Sequence, residues 1–136
     1  MPVGTTPGFA AAACNANDAD LAVEFHFNAA ASRSASGTET LYWRKSASGH
    51  AAAFAAQAAM CGALGLPDRG LMTVGPESAR AVNDFKKTRM PAILVEPAFA
   101  ASNCTDNDRL QTRAGALCEA IARGIERYAS QPTLNF

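Results

Sequence analysis

The spacing of apolar residues changes several times along the chain, and each change marks an element. Phe9 to Asn17 is alanine-rich and predicts a short helix, after which Asn17-Asp18 turns into a strand over Leu21 to Phe27. Ala30 to Gly37 is polar, rich in serine and alanine, and predicts a loop. Thr38 to Trp43 carries β-branched and aromatic residues in period two, the signature of a second strand. Ser46 and Ser48 offer N-caps for a helix across His50 to Leu64, closed by Gly65 and Pro67. Asp68-Arg69-Gly70 predicts a loop and Leu71 to Val74 a short extended piece. Glu77 to Lys87 predicts a helix whose narrow apolar face is Ala81, Val82 and Phe85. Ala92 to Val95 is an unbroken apolar run, as expected of a strand covered on both faces. From Asp108 to Tyr128, Leu110, Ala114, Leu117, Ile121, Ile125 and Tyr128 recur at helical spacing, so one face of a long helix is expected to dock on the sheet. The tail from Ser130 to Phe136 reads as loosely held. Alternating strands and helices with no internal repeat predict one α/β domain, a three-layer sandwich around a mostly parallel central sheet.

Composition narrows the functional classes. A chain of 136 residues is one domain (1–136), able to bury roughly two thirds of its unfolded surface. Twelve basic and twelve acidic residues cancel, and the basic ones are scattered, which argues against a nucleic-acid partner. No apolar run approaches the ~20 residues of a membrane span. Met1 to Phe9 lacks the charged and apolar regions of a secretory signal, so the expectation is a chain made in the cytoplasm. Cys14, Cys61, Cys104 and Cys118 form no Cys-x-x-Cys pair and read as reduced, partly buried thiols.

Two apolar runs end in side chains suited to chemistry. Leu21 to Phe27 delivers His26 near its end, and Ala92 to Val95 is followed by Glu96. In an open α/β sheet ligands bind in the crevice beyond the strand carboxyl ends, so the two residues can face one site. A metal ligand and a general base are the natural pair of roles. Whether they meet depends on strand order.

Several pieces in sequence order resemble the zinc-dependent N-acetylmuramoyl-L-alanine amidases of the autolysin and phage-endolysin type. They are Ala16-Asn17 with Ala19-Asp20, His26-Phe27-Asn28-Ala29, Gly37-Thr38-Glu39 with Tyr42, Asp68-Arg69-Gly70, Thr88 to Glu96, and Phe99 with Ser102-Asn103 and Asp106. The resemblance runs from about residue 15 to residue 128, and His26-Phe27-Asn28 is more similar to the bacteriophage lysin branch. It implies a peptidoglycan hydrolase in which zinc-activated water cleaves the amide between the lactyl group of N-acetylmuramic acid and L-alanine. By position His26 matches a histidine ligand of zinc, and Glu96 the essential acid/base glutamate. The expected partner is peptidoglycan, with the protein acting on the cell wall if released.

The family also begins with a strand ending in an Asp-x-Gly-His-Gly-like turn, whose histidine is the first ligand, followed by a helix carrying a glutamate ligand. This chain shows neither, and a zinc site needs about three protein ligands and an open position. Glu24 lies two residues before His26 on the same strand face, so it is a candidate substitute ligand; the alternative is a polar residue at an exposed strand end or one paired with an arginine. His50, near the start of a helix, reads as a surface residue. Arg69 is a candidate substrate-binding residue, or else part of a turn held by an Asp68–Arg69 contact. Asn28 is a second candidate for the substrate groove, either orienting His26 or ending the strand. Trp43 and Tyr42 read as core rather than sugar platforms, and Ser102-Asn103 with Asp106 as the cap of the last helix.

Three accounts of this shortened front remain open. The chain is a fragment of a longer amidase, a shortened relative that completes its site with a second copy, or a catalytically inactive relative that binds peptidoglycan or serves in assembly. Exposed sheet edges tend to pair with another chain, so a homo-oligomer is expected.

Overall fold

The computed structural model describes residues 7–78 and 82–131. Eight elements follow in order: α1 (Pro7–Ala16), β1 (Ala22–Phe25), β2 (Thr38–Trp43), α2 (Ala47–Leu64), β3 (Asp68–Val74), α3 (Val82–Lys86), β4 (Ala92–Glu96) and α4 (Cys104–Ala129). The strands form one sheet in the order β1-β4-β2-β3. β1 pairs parallel with β4 and β2 parallel with β3, while the central β2–β4 pairing is antiparallel. The expected α/β sandwich is therefore present, with two of its three pairings parallel.

Pleat alternation divides the sheet residues between two cores. One face sends Val23, Tyr42, Leu71, Ile93 and Val95 into a cluster with Ala52, Ala53, Ala56, Met60 and Leu64 of α2. The other sends Leu41, Val74 and Leu94 against Phe85 of α3, with Trp43 and Met72 at its margin. Tyr42 and Trp43 are core residues, as the sequence implied.

Helix α2 lies close to the sheet because its inner face is largely alanine. Ser46 caps its start, accepting a hydrogen bond from Gly49 N, and Gly65 ends it in the left-handed conformation at φ 63°. Ser48 lies within the first turn and is not the cap. Gln57 is the polar exception on the buried face: it accepts from Thr40 Oγ1 at 2.8 Å and donates to Thr38 O at 2.9 Å and Asp68 Oδ1 at 2.6 Å. The two buried threonines of β2 thus find partners in the helix above them.

Helix α4 packs along α2 rather than across the sheet, reaching the core through Leu117 and Ile121. A Cβ on Gly124 would sit 3.1 Å from Ala55 O, a contact tight enough that the helices would have to give by a few tenths of an ångström. The helix begins at Cys104, four residues earlier than the apolar periodicity suggested, because Asn103 Oδ1 accepts from Thr105 N and Asp106 N.

Three further expectations are corrected. The strand over Leu21 to Phe27 shortens to Ala22–Phe25, although His26 N and Asn28 N still donate to Val95 O and Ala98 O across the gap to β4. Asp68-Arg69-Gly70 is not a loop but the first part of β3; the register slips between Thr38 and Thr40, and Gly70 takes φ 83°, so the turn-like residues make a β-bulge. Glu77 sits in a turn and pairs with Arg44 at 2.6 Å, and the helix after it is described only from Val82. Residues 79–81, with Ala81, the first six residues and the tail 132–136 lie outside the described residues. All four cysteines are free thiols, and partial burial pushes the Cys61 thiol up.

Asp68 links sheet edge and helix through a charge. The Gln57 amide, and after it Gly70 N, hold its carboxyl below the ordinary carboxylate range. Because the folded value lies below the unfolded one of about 4, this contact stabilises the fold above about pH 4 and is lost as pH falls through the folded value. We expect the stability advantage of wild type over Asp68→Asn, read from urea midpoints, to shrink steadily as pH is lowered from 5 to 2.

Candidate active site

Parallel pairing of β1 with β4 sets Phe25 opposite Val95, so the next residues, His26 and Glu96, emerge side by side at the same end of the sheet. Antiparallel pairing of β2 with β4 sets Glu39 directly opposite Glu96. Glu24 lies opposite Leu94. By alternation Glu24, His26, Glu96 and Glu39 all project from one face, the face that carries Leu41 and Leu94. They lie past the patch covered by Phe85. The site is thus at the carboxyl ends of β1 and β4 but the amino ends of β2 and β3.

The glutamates at its centre are buried, Glu39 with 1% and Glu96 with 6% of its surface exposed. Two facing carboxyls on neighbouring strands in a low dielectric need hydrogen-bond partners, and double ionisation there is costly. Asn28 answers this from the segment after β1: its Nδ2 donates to Glu39 Oε1 at 2.9 Å and to Glu96 Oε2 at 3.0 Å. Its Oδ1 accepts from Ala29 N at 2.9 Å, which turns the amide so that both N–H bonds meet carboxylates. Arg69, lifted by the β3 bulge, donates from Nε to Glu39 Oε2 at 2.8 Å, and its guanidinium lies 4.9 Å from the centre of the Phe99 ring.

The surrounding loops are fastened by the start of α4. Asp106, fully buried, accepts from Ser36 Oγ at 2.5 Å, Gly37 N at 3.0 Å and Phe99 N at 2.9 Å. Asn103 Nδ2 donates to Arg33 O and Ala35 O, and Ser102 Oγ accepts from Ala30 N. Gly37 has φ 116°, and a Cβ there would approach Pro67 O to 2.3 Å, so no larger residue fits this tie. The segment 102–106 caps the last helix as expected, and also sets the path of the loop leading into Glu39 and of the one leaving Glu96.

His26 stands on the outer side of this group, exposed, with Nε2 2.7 Å from Glu24 Oε1. The pair presents two metal-type donors. A catalytic zinc takes about three protein ligands and an open position, and no group of three or more His, Cys, Asp or Glu side chains able to hold a metal occurs among the described residues. The donor set is one ligand short.

His26, Glu24, Asn28, Arg69 and Glu96 therefore fall in one region. His50 does not: it lies edge-on to Tyr42 at 5.1 Å, near the α2 side of the sheet. The Asp68–Arg69 turn contact is replaced by Arg69–Glu39 and Asp68–Gln57. Glu39 is not among the site candidates that strand carboxyl ends point to, because an antiparallel β2 brings its beginning to the site. Two signals pointed to it: the family-like piece Gly37-Thr38-Glu39, and the run Thr38-Glu39-Thr40, three successive polar residues opening a strand that is buried throughout that run.

A buried carboxyl pair bridged by one amide, with an exposed histidine beside it, thus gathers the polar groups at one end of the sheet. The profile of the N-acetylmuramoyl-L-alanine amidase family matches residues 9–127, and the chain belongs to that family. No curated protein sequence matches it. Among solved structures, Cwp6 from Clostridium difficile superposes with a TM-score of 0.83 at 24% identity, over 96% of this chain and 21% of that one. The catalytic domain of CwlV, an N-acetylmuramoyl-L-alanine amidase from Bacillus (Paenibacillus) polymyxa var. colistinus, gives 0.79 at 26% identity, over 92% of this chain and 66% of that one. The amidase AmiC2 of Nostoc punctiforme gives 0.75 at 27% identity, over 89% of this chain and 64% of that one. The chain thus spans about two thirds of the CwlV and AmiC2 structures and about a fifth of Cwp6.

Arg69 stands at the hinge of the site's electrostatics. Arg69→Ala removes the guanidinium from a buried Glu39, and we expect a loss of about 1–3 kcal/mol, moderated because the arginine is itself partly exposed. Arg69→Lys restores little, since an ammonium reproduces neither the Nε geometry nor the stacking on Phe99. Chemical denaturation of the three proteins measures both effects.

Proposed function

We propose that this chain is the core of an N-acetylmuramoyl-L-alanine amidase-type peptidoglycan hydrolase, with Glu96 as its acid/base group. The observation that carries the reading is the placement of Glu96: buried at the end of β4, oriented by Asn28, beside the segment that bears His26. In amide cleavage water attacks the lactyl carbonyl carbon, and Glu96 takes the proton that this water gives up. The C–N bond then breaks as Glu96 returns the proton to the departing amine of L-alanine. The products are a lactyl carboxylate and a free stem peptide. Asn28 and Arg69 line the groove, Asn28 by fixing Glu96 and Arg69 by offering a stacked guanidinium to an anionic or carbonyl group of the peptide.

Zinc, the family's expected cofactor, is not accommodated by the described residues alone, because His26 and Glu24 leave the ligand set one short. For that reason the reaction as assigned here runs through Glu96 and its neighbours. The incomplete donor set also favours a second reading, an inactive relative that keeps muropeptide binding. Assay of the purified chain on muropeptides, with and without added zinc, separates the two. The first reading expects L-alanine-terminated peptides to be released, at least about 100-fold more slowly by a folded Glu96→Gln protein. It also expects about one zinc per chain by elemental analysis, lost in His26→Ala, with the missing ligand supplied by a second copy of the chain. Binding of muropeptide without any cleavage establishes the second reading.

The proposal includes self-association through β1. This strand is an edge of the sheet, and Phe25 and Phe27 beside it are 51% and 62% exposed. A second copy seated there would cover the side of β1 that no strand pairs among the described residues, together with this apolar surface. Sedimentation should show a concentration-dependent dimer that Phe27→Glu weakens; a monomer at all concentrations removes this part of the proposal.

A further inference from the structure

Glu39 is buried at the beginning of β2, directly opposite Glu96, and both of its carboxyl oxygens are engaged. Oε2 receives the Arg69 Nε–H at 2.8 Å and Oε1 receives one Asn28 N–H at 2.9 Å, at 1% exposure. The other Asn28 N–H goes to Glu96 Oε2 at 3.0 Å. An amide with both hydrogens committed to two carboxylates, and its oxygen committed to Ala29 N, has no freedom to turn. Arg69 in turn is immobilised between Glu39 and the Phe99 ring.

From this we infer that Glu39 is a positioning residue for the proposed reaction: anchored by Arg69, it locks the Asn28 amide, which fixes the direction in which the Glu96 carboxyl faces the substrate. The inference rests on the amidase reading in taking Glu96 as the acid/base group. A purely structural Glu39 would serve only to neutralise Arg69. That role requires neither the shared amide nor the direct opposition of Glu39 and Glu96 across the antiparallel β2–β4 pair. Positioning requires both. It also accounts for two glutamates facing one another where an apolar pair would cost less: the second carboxylate supplies the acceptor that keeps the amide's other hydrogen aimed at the first.

The test uses the full chain with 15N-asparagine and 13C-glutamate labels, comparing wild type, Glu39→Gln and Asn28→Ala. In folded Glu39→Gln protein the Asn28 side-chain amide and the Glu96 carboxyl carbon resonances should move together. Asn28→Ala should displace the Glu96 resonance in the same direction without Glu39 being altered. Where cleavage is measurable, each variant should lower kcat by about tenfold to 100-fold with KM within about twofold, and the double variant should be no slower than the slower single one. If Glu39→Gln does not fold, Glu39→Asp takes its place: a carboxylate drawn back by one methylene should loosen the Asn28 amide and move the Glu96 resonance with it. An unmoved Glu96 resonance in the folded variants overturns the inference whether or not the chain is active. A coupled movement in a chain that cleaves no muropeptide sustains the positioning network and refutes the amidase reading instead.

Discussion

Two carboxylates placed face to face on adjacent strands are the constraint around which this molecule is arranged. The register that opposes Glu39 and Glu96 follows from the antiparallel contact at the middle of the sheet, and little else about the site is independent of it. Two buried carboxyls need hydrogen-bond donors from elsewhere, and each donor fixes a piece of chain. Asn28 commits the segment after β1 to cross over β4, and Arg69 commits the beginning of β3 to a bulge that swings its side chain inward. The irregular features of the sheet are those that bring compensation to this pair, while the regular ones carry the aliphatic core.

A second constraint concerns the loops. Polar segments such as 30–37 cannot bury themselves and need backbone partners. They find them at the start of α4, where Ser102, Asn103 and Asp106 receive or supply hydrogen bonds from both sides of the site. The buried Asp106 carboxylate is satisfied by three donors from two loops, so removing it would leave two backbone N–H groups stranded in the interior. The long helix therefore has two unlike parts. Its first turn belongs to the site, and its remainder belongs to the packing on α2.

How far these arrangements could be read from sequence follows the range of the forces involved. Local signals did well: the period-two strand at Thr38 to Trp43, the apolar run before Glu96, the Ser46 cap and the Gly65 stop are all near-neighbour effects, and each element stands where expected. The resemblance to amidases, carried by short ordered motifs, agrees with the family match over residues 9–127. What escaped was decided at a distance. Glu39 could not be placed without strand order, and the turn contact with Asp68, the alternative to a substrate-binding role for Arg69, gives way to a partner on the neighbouring strand. Asp68-Arg69-Gly70 carries the residues of a loop and makes a bulge, since a left-handed glycine suits either. Helix α4 was expected on the sheet because its apolar stripe has the right width, yet a stripe does not say what it packs against, and here the neighbour is α2.

The hydrogen bonds that close the site join residues far apart in the chain: Asn28 to Glu96 spans 68 positions, Gly37 to Asp106 spans 69 and Ser36 to Asp106 spans 70. Contacts of such separation are formed after the loop entropy between them has been overcome, which places them late in folding. Helices α2 and α4 can each form locally, but their docking, with Gly124 against Ala55, is as long-range as the clamps, so the carboxyl pair arrives only with the completed fold. A folding intermediate of this chain would thus resemble the finished protein in helix content while having no site, and recovery of the site's geometry would lag behind recovery of helical signal during refolding.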